Sequence, residues 1–263
     1  MQAFSFVRRG VTPLALAAAL LVSGAARAAG PICEAPQELL RLAAPLAHVA
    51  QKLKADKPVT IVAIGSSSTQ GAGASSPAAS YPSRLEAELK GHFPRNKIVV
   101  LNRGIGGEEV PDMLKRFDTA VVAAKPDLVL WQLGTNSVIR GHMTEGQGDL
   151  IRVGLKKIRG IGADIVLIDP QFAPKVIARP EAARMIELIA ATAKAENVDL
   201  FRRFAVMKRW YDVDRLGFET FVSPDGLHMN DWSYACMAKG LGLAIAEAAR
   251  RPVATALSHA IVP

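Results

Sequence analysis

Apolar residues gather into five short runs along the chain, at 59–64, 97–101, 127–133, 164–168 and 198–201. Each is rich in Val, Ile and Leu, and most lack polar alternation, the pattern of strands covered on both faces. Longer segments between them carry the helical period. Leu85, Leu89 and Phe93 share one face of 81–93; Ile151, Leu155 and Ile158 share a face of 149–159; Met185, Leu188, Ile189 and Ala193 do so in 180–196. An Ala-rich helix over 231–250 closes the pattern. Strands alternating with helices predict a parallel sheet with right-handed crossovers. The fold class expected is α/β: a flavodoxin-like three-layer α/β/α sandwich on a five-stranded parallel sheet, in strand order 2-1-3-4-5 by analogy with that fold. A further helix is expected over 36–54, with Leu39, Leu42, Leu46, Val49 and Leu53 on its buried side and Pro45 kinking or dividing it. No internal repeat or linker marks a second domain.

The first 28 residues stand apart from this pattern. Arg8 and Arg9 precede an apolar stretch at 11–22, and Ala26-Arg27-Ala28 supplies small residues around a cleavage point. That is the layout of an export signal, and the stretch is short of the roughly 20 residues that span a bilayer. The expected organisation is a signal peptide over 1–28 and one domain over 29–263, with 251–263 a loosely held tail. Loss of Arg8, Arg9 and Arg27 lowers the net charge from +8 to +5. The remaining Lys and Arg are scattered, so nucleic acid is not an expected partner, and no stable membrane insertion is expected after cleavage. Export places the protein in the periplasm or outside the cell. There the two cysteines, Cys33 and Cys236, most simply pair and tie the mature N-terminus to the last helix. They form no ligand cluster with a histidine at zinc-site spacing, so no metal is expected.

In an open parallel sheet, function gathers beyond the carboxyl ends of the strands. Gly65-Ser66-Ser67-Ser68-Thr69-Gln70-Gly71 follows the first run, Asn102-Arg103-Gly104-Ile105-Gly106-Gly107-Glu108 the second, and Gly134-Thr135-Asn136-Ser137 the third. Ser223-Pro224-Asp225-Gly226-Leu227-His228 precedes the last helix. Together these fill the roles of acyl transfer. A serine hydroxyl needs a base within hydrogen-bond reach and donors aimed at the developing oxyanion. Of the five histidines, His48 lies in the first helix, His92 near a helix end, His142 in a polar loop and His259 in the tail. His228 alone has a carboxylate three residues before it, in a turn where Asp225 can fix the tautomer of the ring. Spacing alone leaves Ser66, Ser67 and Ser68 open as nucleophile.

These four blocks, in this order, resemble the SGNH hydrolases, also called the GDSL esterase/lipase superfamily, over nearly all of the mature chain. The family pattern Gly-Asp-Ser-x-Thr-x-x-Gly is met loosely by Gly65-Ser66-Ser67-Ser68-Thr69 with Gly71 close behind. The second block's glycine matches Gly107, and Gly-x-Asn-Asp matches Gly134-Thr135-Asn136-Ser137. Asp-x-x-His matches Asp225 to His228 in full. The resemblance implies Ser67 as nucleophile, His228 as general base and Asp225 as its orienting partner. It implies an oxyanion hole of the Ser67 and Gly107 backbone N–H groups and the Asn136 side chain. Ser66 and Ser137 stand where the family has aspartates. Their presence removes two carboxylates near the nucleophile and predicts weaker anchoring of the loops, although neither position is a triad member or an oxyanion donor.

The resulting expectation is a secreted or periplasmic serine esterase acting on short-acyl esters, carbohydrate O-acetyl groups included, with no cofactor. Its partner would be a small-molecule or carbohydrate ester. A lysophospholipase or thioesterase, an acyl transferase with the same triad, and a non-catalytic carbohydrate-binding module on this fold are the alternatives. No large apolar insertion or lid interrupts the chain, which disfavours a long-chain lipase. Trp131 is expected in the core, Gln171-Phe172-Ala173-Pro174 beside the cleft, and Arg103 and Glu108 at its rim.

Overall fold

The structure, a computed structural model, describes residues 1–3, 33, 35–142 and 146–252. The expected signal segment beyond residue 3 and the tail beyond residue 252 lie outside the described residues. The apolar runs form β1 Val59–Gly65, β2 Ile98–Gly104, β3 Leu128–Gln132, β4 Asp164–Ile168 and β5 Asp199–Phe201. Every neighbouring pair is parallel, and the sheet order is β2-β1-β3-β4-β5, as expected. The helices are α1 Gln37–Leu40, α2 Ala47–Lys54, α3 Ser67–Gln70, α4 Tyr81–His92, α5 Val110–Lys115, α6 Phe117–Ala120, α7 Thr135–Arg140, α8 Gln147–Gly160, α9 Pro174–Ile177, α10 Glu181–Ala195, α11 Arg203–Asp212, α12 Phe218–Phe221 and α13 Asp231–Arg250.

Two helical layers explain why the strands lack alternation. On one side α4 and α13 pack on each other, and α4 also lies on β2. Elsewhere α8 packs on β4, α5 and α10, and α10 reaches β5. Val62, Ala63 and Ile64 of β1 and Leu128 through Trp131 of β3 are therefore wholly buried. Each such aliphatic side chain contributes about 2 kcal/mol by leaving water. The stripes of α4 (Leu85, Leu89), α8 (Ile151, Leu155, Ile158) and α10 (Met185, Ile189, Ala193) face the same core. Trp131 sits there too, edge-on to Phe117 at 5.0 Å.

Segment 36–54 is divided rather than kinked, into α1 and α2 on either side of Pro45. Pro45 has no N–H and blocks the helical turn before it. The freed N–H groups of His48 and Val49 at the start of α2 find the Asp164 carboxylate at the amino end of β4, at 3.3 and 2.9 Å. The residue just after α13 is also held. The Arg251 guanidinium donates to the carbonyls of Leu42 and Ala44 at 2.8 and 2.9 Å, so the anchored chain runs through residue 251.

Cys33 and Cys236 form a disulfide with their Cα atoms 5.2 Å apart, fastening the start of the described domain to α13. The bridge spans 203 residues. In the chain-entropy account, closing a loop that long stabilises the fold by about 5 kcal/mol. Reduction is expected to add two hydrogens to the intact mass and to lower Tm by about 10 °C or more for a domain of this size. An unchanged mass would remove the bridge, and an unchanged Tm its contribution.

Candidate active site

β1 and β2 run in register, with Gly65 opposite Gly104 at their carboxyl ends. The two loops that follow therefore leave the sheet side by side, and Ile105 N–H donates to the Gly65 carbonyl at 3.0 Å. α3 begins at once and lies on Gly104, where a Cβ would stand 2.1 Å from the Gln70 nitrogen. Only glycine admits so close an approach. This turn sorts the three serines. Ser66 and Ser68 point inward and are 1% exposed. Ser67 opens outward, and its Oγ lies 2.8 Å from Nε2 of His228.

The His228 loop is built to hold its ring. Val222 and Met229 pair across its base, and Ser223 N–H donates to the His228 carbonyl at 2.8 Å. Asp225 Oδ2 bonds Nδ1 of His228. Its Oδ1 accepts the backbone N–H groups of Leu227 and His228, both at 2.9 Å, and the Ser223 hydroxyl at 2.8 Å. Burial alone would raise the Asp225 pKa; the bonds from the His228 ring, these backbone N–H groups and Ser223 outweigh it, and the carboxyl is held well below its usual range. Among the described residues, Nδ1 thus faces a carboxylate while Nε2 faces the hydroxyl, the arrangement in which imidazole accepts a serine proton. The helix that follows is capped by Asn230, whose side chain accepts from Ser233 N–H at 3.1 Å, so neither Asp225 nor His228 serves as the cap.

The other expected donors lie on the loop after β2 and at the start of α7, which Asn136 joins. Among the described residues the backbone N–H groups of Ser67 and Gly107 find no acceptor. A Cβ on Gly106 would stand 3.8 Å from Ser67 Cβ, so this loop borders the hydroxyl. Gly107 has φ +80, a conformation that favours glycine. Asn136, in the first turn of α7, donates through Nδ2 to the Glu108 carbonyl at 2.8 Å, leaving one amide hydrogen for a ligand.

Loop anchoring differs from expectation, because other residues replace the two missing carboxylates. Gln132 Oε1, at the end of β3, accepts both the N–H and the hydroxyl of Ser66, at 3.0 and 3.1 Å, and the Thr69 hydroxyl at 3.3 Å. The Ser137 hydroxyl donates to Glu109 at 2.8 Å. Sequence reading missed both acceptors. Gln132 did leave a trace, as the polar residue closing an apolar strand. Gln171 is wholly buried and braces the site: it accepts the Thr135 hydroxyl at 2.9 Å and donates to the Leu227 carbonyl at 3.2 Å, linking the third and last blocks.

The remaining candidates fall elsewhere. His48 pairs with Asp127, opposite the carboxyl ends, and His142 with Glu109, each at 2.9 Å. The His92 carbonyl accepts from Arg250, and His259 lies outside the described residues. Glu108 is drawn into an ion pair with Arg116, which also donates to the Arg103 carbonyl at 2.8 Å. Phe172 packs in a ring cluster with Phe204 and Phe218, at 5.2 and 5.6 Å.

Residues 32–251 match the non-GDSL lipase-like family. No curated protein matches by sequence. Among solved structures, a two-domain esterase active on acetylated mannans superposes with TM-score 0.70 at 20% identity over 81% of this chain. This chain spans 56% of that protein's length. A catalytic variant of an acetylxylan esterase from Geobacillus stearothermophilus gives 0.59 at 19% identity, over 71% of this chain and 94% of its own. A protein from Desulfitobacterium hafniense assigned to the G-D-S-L lipolytic family gives 0.60 at 22%, over 71% and 99%. At these identities the likeness speaks for the fold, and the family match speaks for descent. The chain belongs to the non-GDSL lipase-like family.

Proposed function

We propose that this protein is an exported serine esterase that removes short acyl groups, acetyl foremost, from carbohydrate esters. The observation that carries the reading is the 2.8 Å contact between Ser67 Oγ and a His228 ring whose other nitrogen is bonded to Asp225. Ser67 Oγ attacks the ester carbonyl as Nε2 of His228 takes its proton. The carbonyl electron pair moves onto oxygen, where the N–H groups of Ser67 and Gly107 and the Asn136 amide receive it. Collapse expels the alcohol, which leaves with the proton from His228, and the acyl group stays on Ser67. Water, deprotonated by His228, then releases the acid. Asp225 stays ionised throughout and stabilises the imidazolium. The acetyl-carbohydrate specificity of two structural neighbours supports the substrate class, and the disulfide and basic-apolar N-terminus support export.

The test compares p-nitrophenyl acetate, butyrate and octanoate, then follows acetate released from acetylated mannan and xylan oligosaccharides. Acetate is expected to exceed octanoate in kcat/KM by at least tenfold, a size selection of about 1.4 kcal/mol or more, which pocket contacts routinely supply. A preference for octanoate would move the reading to a lysophospholipase or thioesterase. Transfer of acetyl to an added sugar faster than to water would move it to an acyl transferase. Inertness towards every ester would leave a binding module.

A further inference from the structure

We propose that Glu109 is a positioning residue for the oxyanion site, supplying from the second block the carboxylate that Ser137 cannot supply from the third. The inference rests on the esterase reading above. Glu109 sits two residues beyond Gly107, and its side chain is 11% exposed. One oxygen accepts the Ser137 hydroxyl at 2.8 Å; the other accepts Arg140 at 2.7 Å and pairs with His142 at 2.9 Å. The same Arg140 nitrogen donates to the Gly107 carbonyl at 2.8 Å, and Asn136 holds the Glu108 carbonyl. Residues 107, 108 and 109 are thus each fastened to α7 or the residues just after it, with the Glu109 carboxylate at the centre. The Gly107 N–H lies in the preceding rigid peptide plane; with the following plane pinned at the Gly107 carbonyl, that N–H can turn only through the two Gly107 dihedrals. Asn136 is the next residue before Ser137, so the cluster sets both remaining oxyanion donors at once. Burial raises the Glu109 pKa less than Arg140, Ser137 and His142 lower it, so the carboxylate is charged as the arrangement requires.

The alternative is that Glu109 only starts α5, where its N–H donates to Asp112 at 3.3 Å. A charge-relocation experiment separates the two. Glu109→Ser keeps a good N-capping residue but removes the carboxylate. Ser137→Asp alone sets two carboxylates face to face. The double variant Glu109→Ser/Ser137→Asp returns a single carboxylate to the cluster from α7. Each single variant is expected to lower kcat on p-nitrophenyl acetate by about 10–100-fold, the scale of a slightly misplaced oxyanion donor, with KM within about twofold. The double variant is expected to recover to within about fivefold of wild type, since the donors regain their aim. Amide hydrogen exchange over 104–109 should quicken in both single variants and return to the wild-type rate in the double. A double variant no better than its worse parent overturns the proposal, as does unchanged exchange in Glu109→Ser. If wild type hydrolyses no ester, the esterase reading falls, while exchange still decides whether Glu109 pins the loop.

Discussion

Replacing Ser67 by alanine is expected to lower kcat on p-nitrophenyl acetate by about 10⁴–10⁶-fold, the scale seen when a triad nucleophile is removed. The neighbouring serines provide internal controls on the same α3 turn. The Ser66 hydroxyl is committed to Gln132 at 3.1 Å and is buried away from His228. Ser66→Ala is therefore expected to lose about tenfold or less, through a slackened turn, because its N–H still holds Gln132. Ser68 Oγ is buried without a hydrogen-bond partner among the described residues. Deleting an unsatisfied hydroxyl removes a desolvation penalty, so Ser68→Ala should keep full activity and an equal or higher Tm. Steady-state kinetics on purified, folded variants decide the matter. A Ser67→Ala protein retaining a tenth of wild-type activity would end the assignment.

Asp225→Asn is expected to lower kcat by about 10⁴-fold, because an amide can present its NH₂ to Nδ1 and favour the wrong tautomer of His228. Substrate affinity should change little, since Asp225 stands behind the ring from Ser67. The pH dependence has a definite sign. The native pKa of Asp225 is depressed, so its contribution to stability is fully present above the unfolded carboxyl value of about 3.9 and is lost as pH falls through the native value. Acid titration should therefore show wild type losing stability more steeply than Asp225→Asn below about pH 4. The carboxylate remains ionised at every pH used for assay. Equal kcat in wild type and Asp225→Asn would remove the orienting role. Parallel acid-stability curves would remove the depressed pKa.

Much of the architecture was legible before any coordinates. Five apolar runs became five strands, and β1, β3 and β4 are buried on both faces because a parallel sheet between helical layers leaves little of its centre to water, while the edge strands β2 and β5 are only partly covered. In the Asp-x-x-His turn the geometry is local: three residues suffice to bring the Asp225 carboxylate to the His228 ring. Pro45 announced a break for an equally local reason. The short helices α5, α6, α11 and α12 carried too few turns to show a period, and α11 hides an apolar face between charged residues.

The acceptors that replace the absent aspartates belong to the other category. Ser66 meets Gln132 across 66 residues, and Ser137 meets Glu109 across 28. Nothing in the serine runs specifies those partners. β1 lies between β2 and β3, and the register that sets Ile64 beside Trp131 leaves Gln132 next to the α3 turn. The sequence by itself determined the layers, the strand ends that carry chemistry and the pairing of Asp225 with His228, all of which follow from periodicity or contacts within a few residues. Only the tertiary structure decided which serine faces the imidazole and which side chains hold the oxyanion loop, because hydrogen bonds between distant segments depend on strand order and register, and these are settled by packing the whole chain.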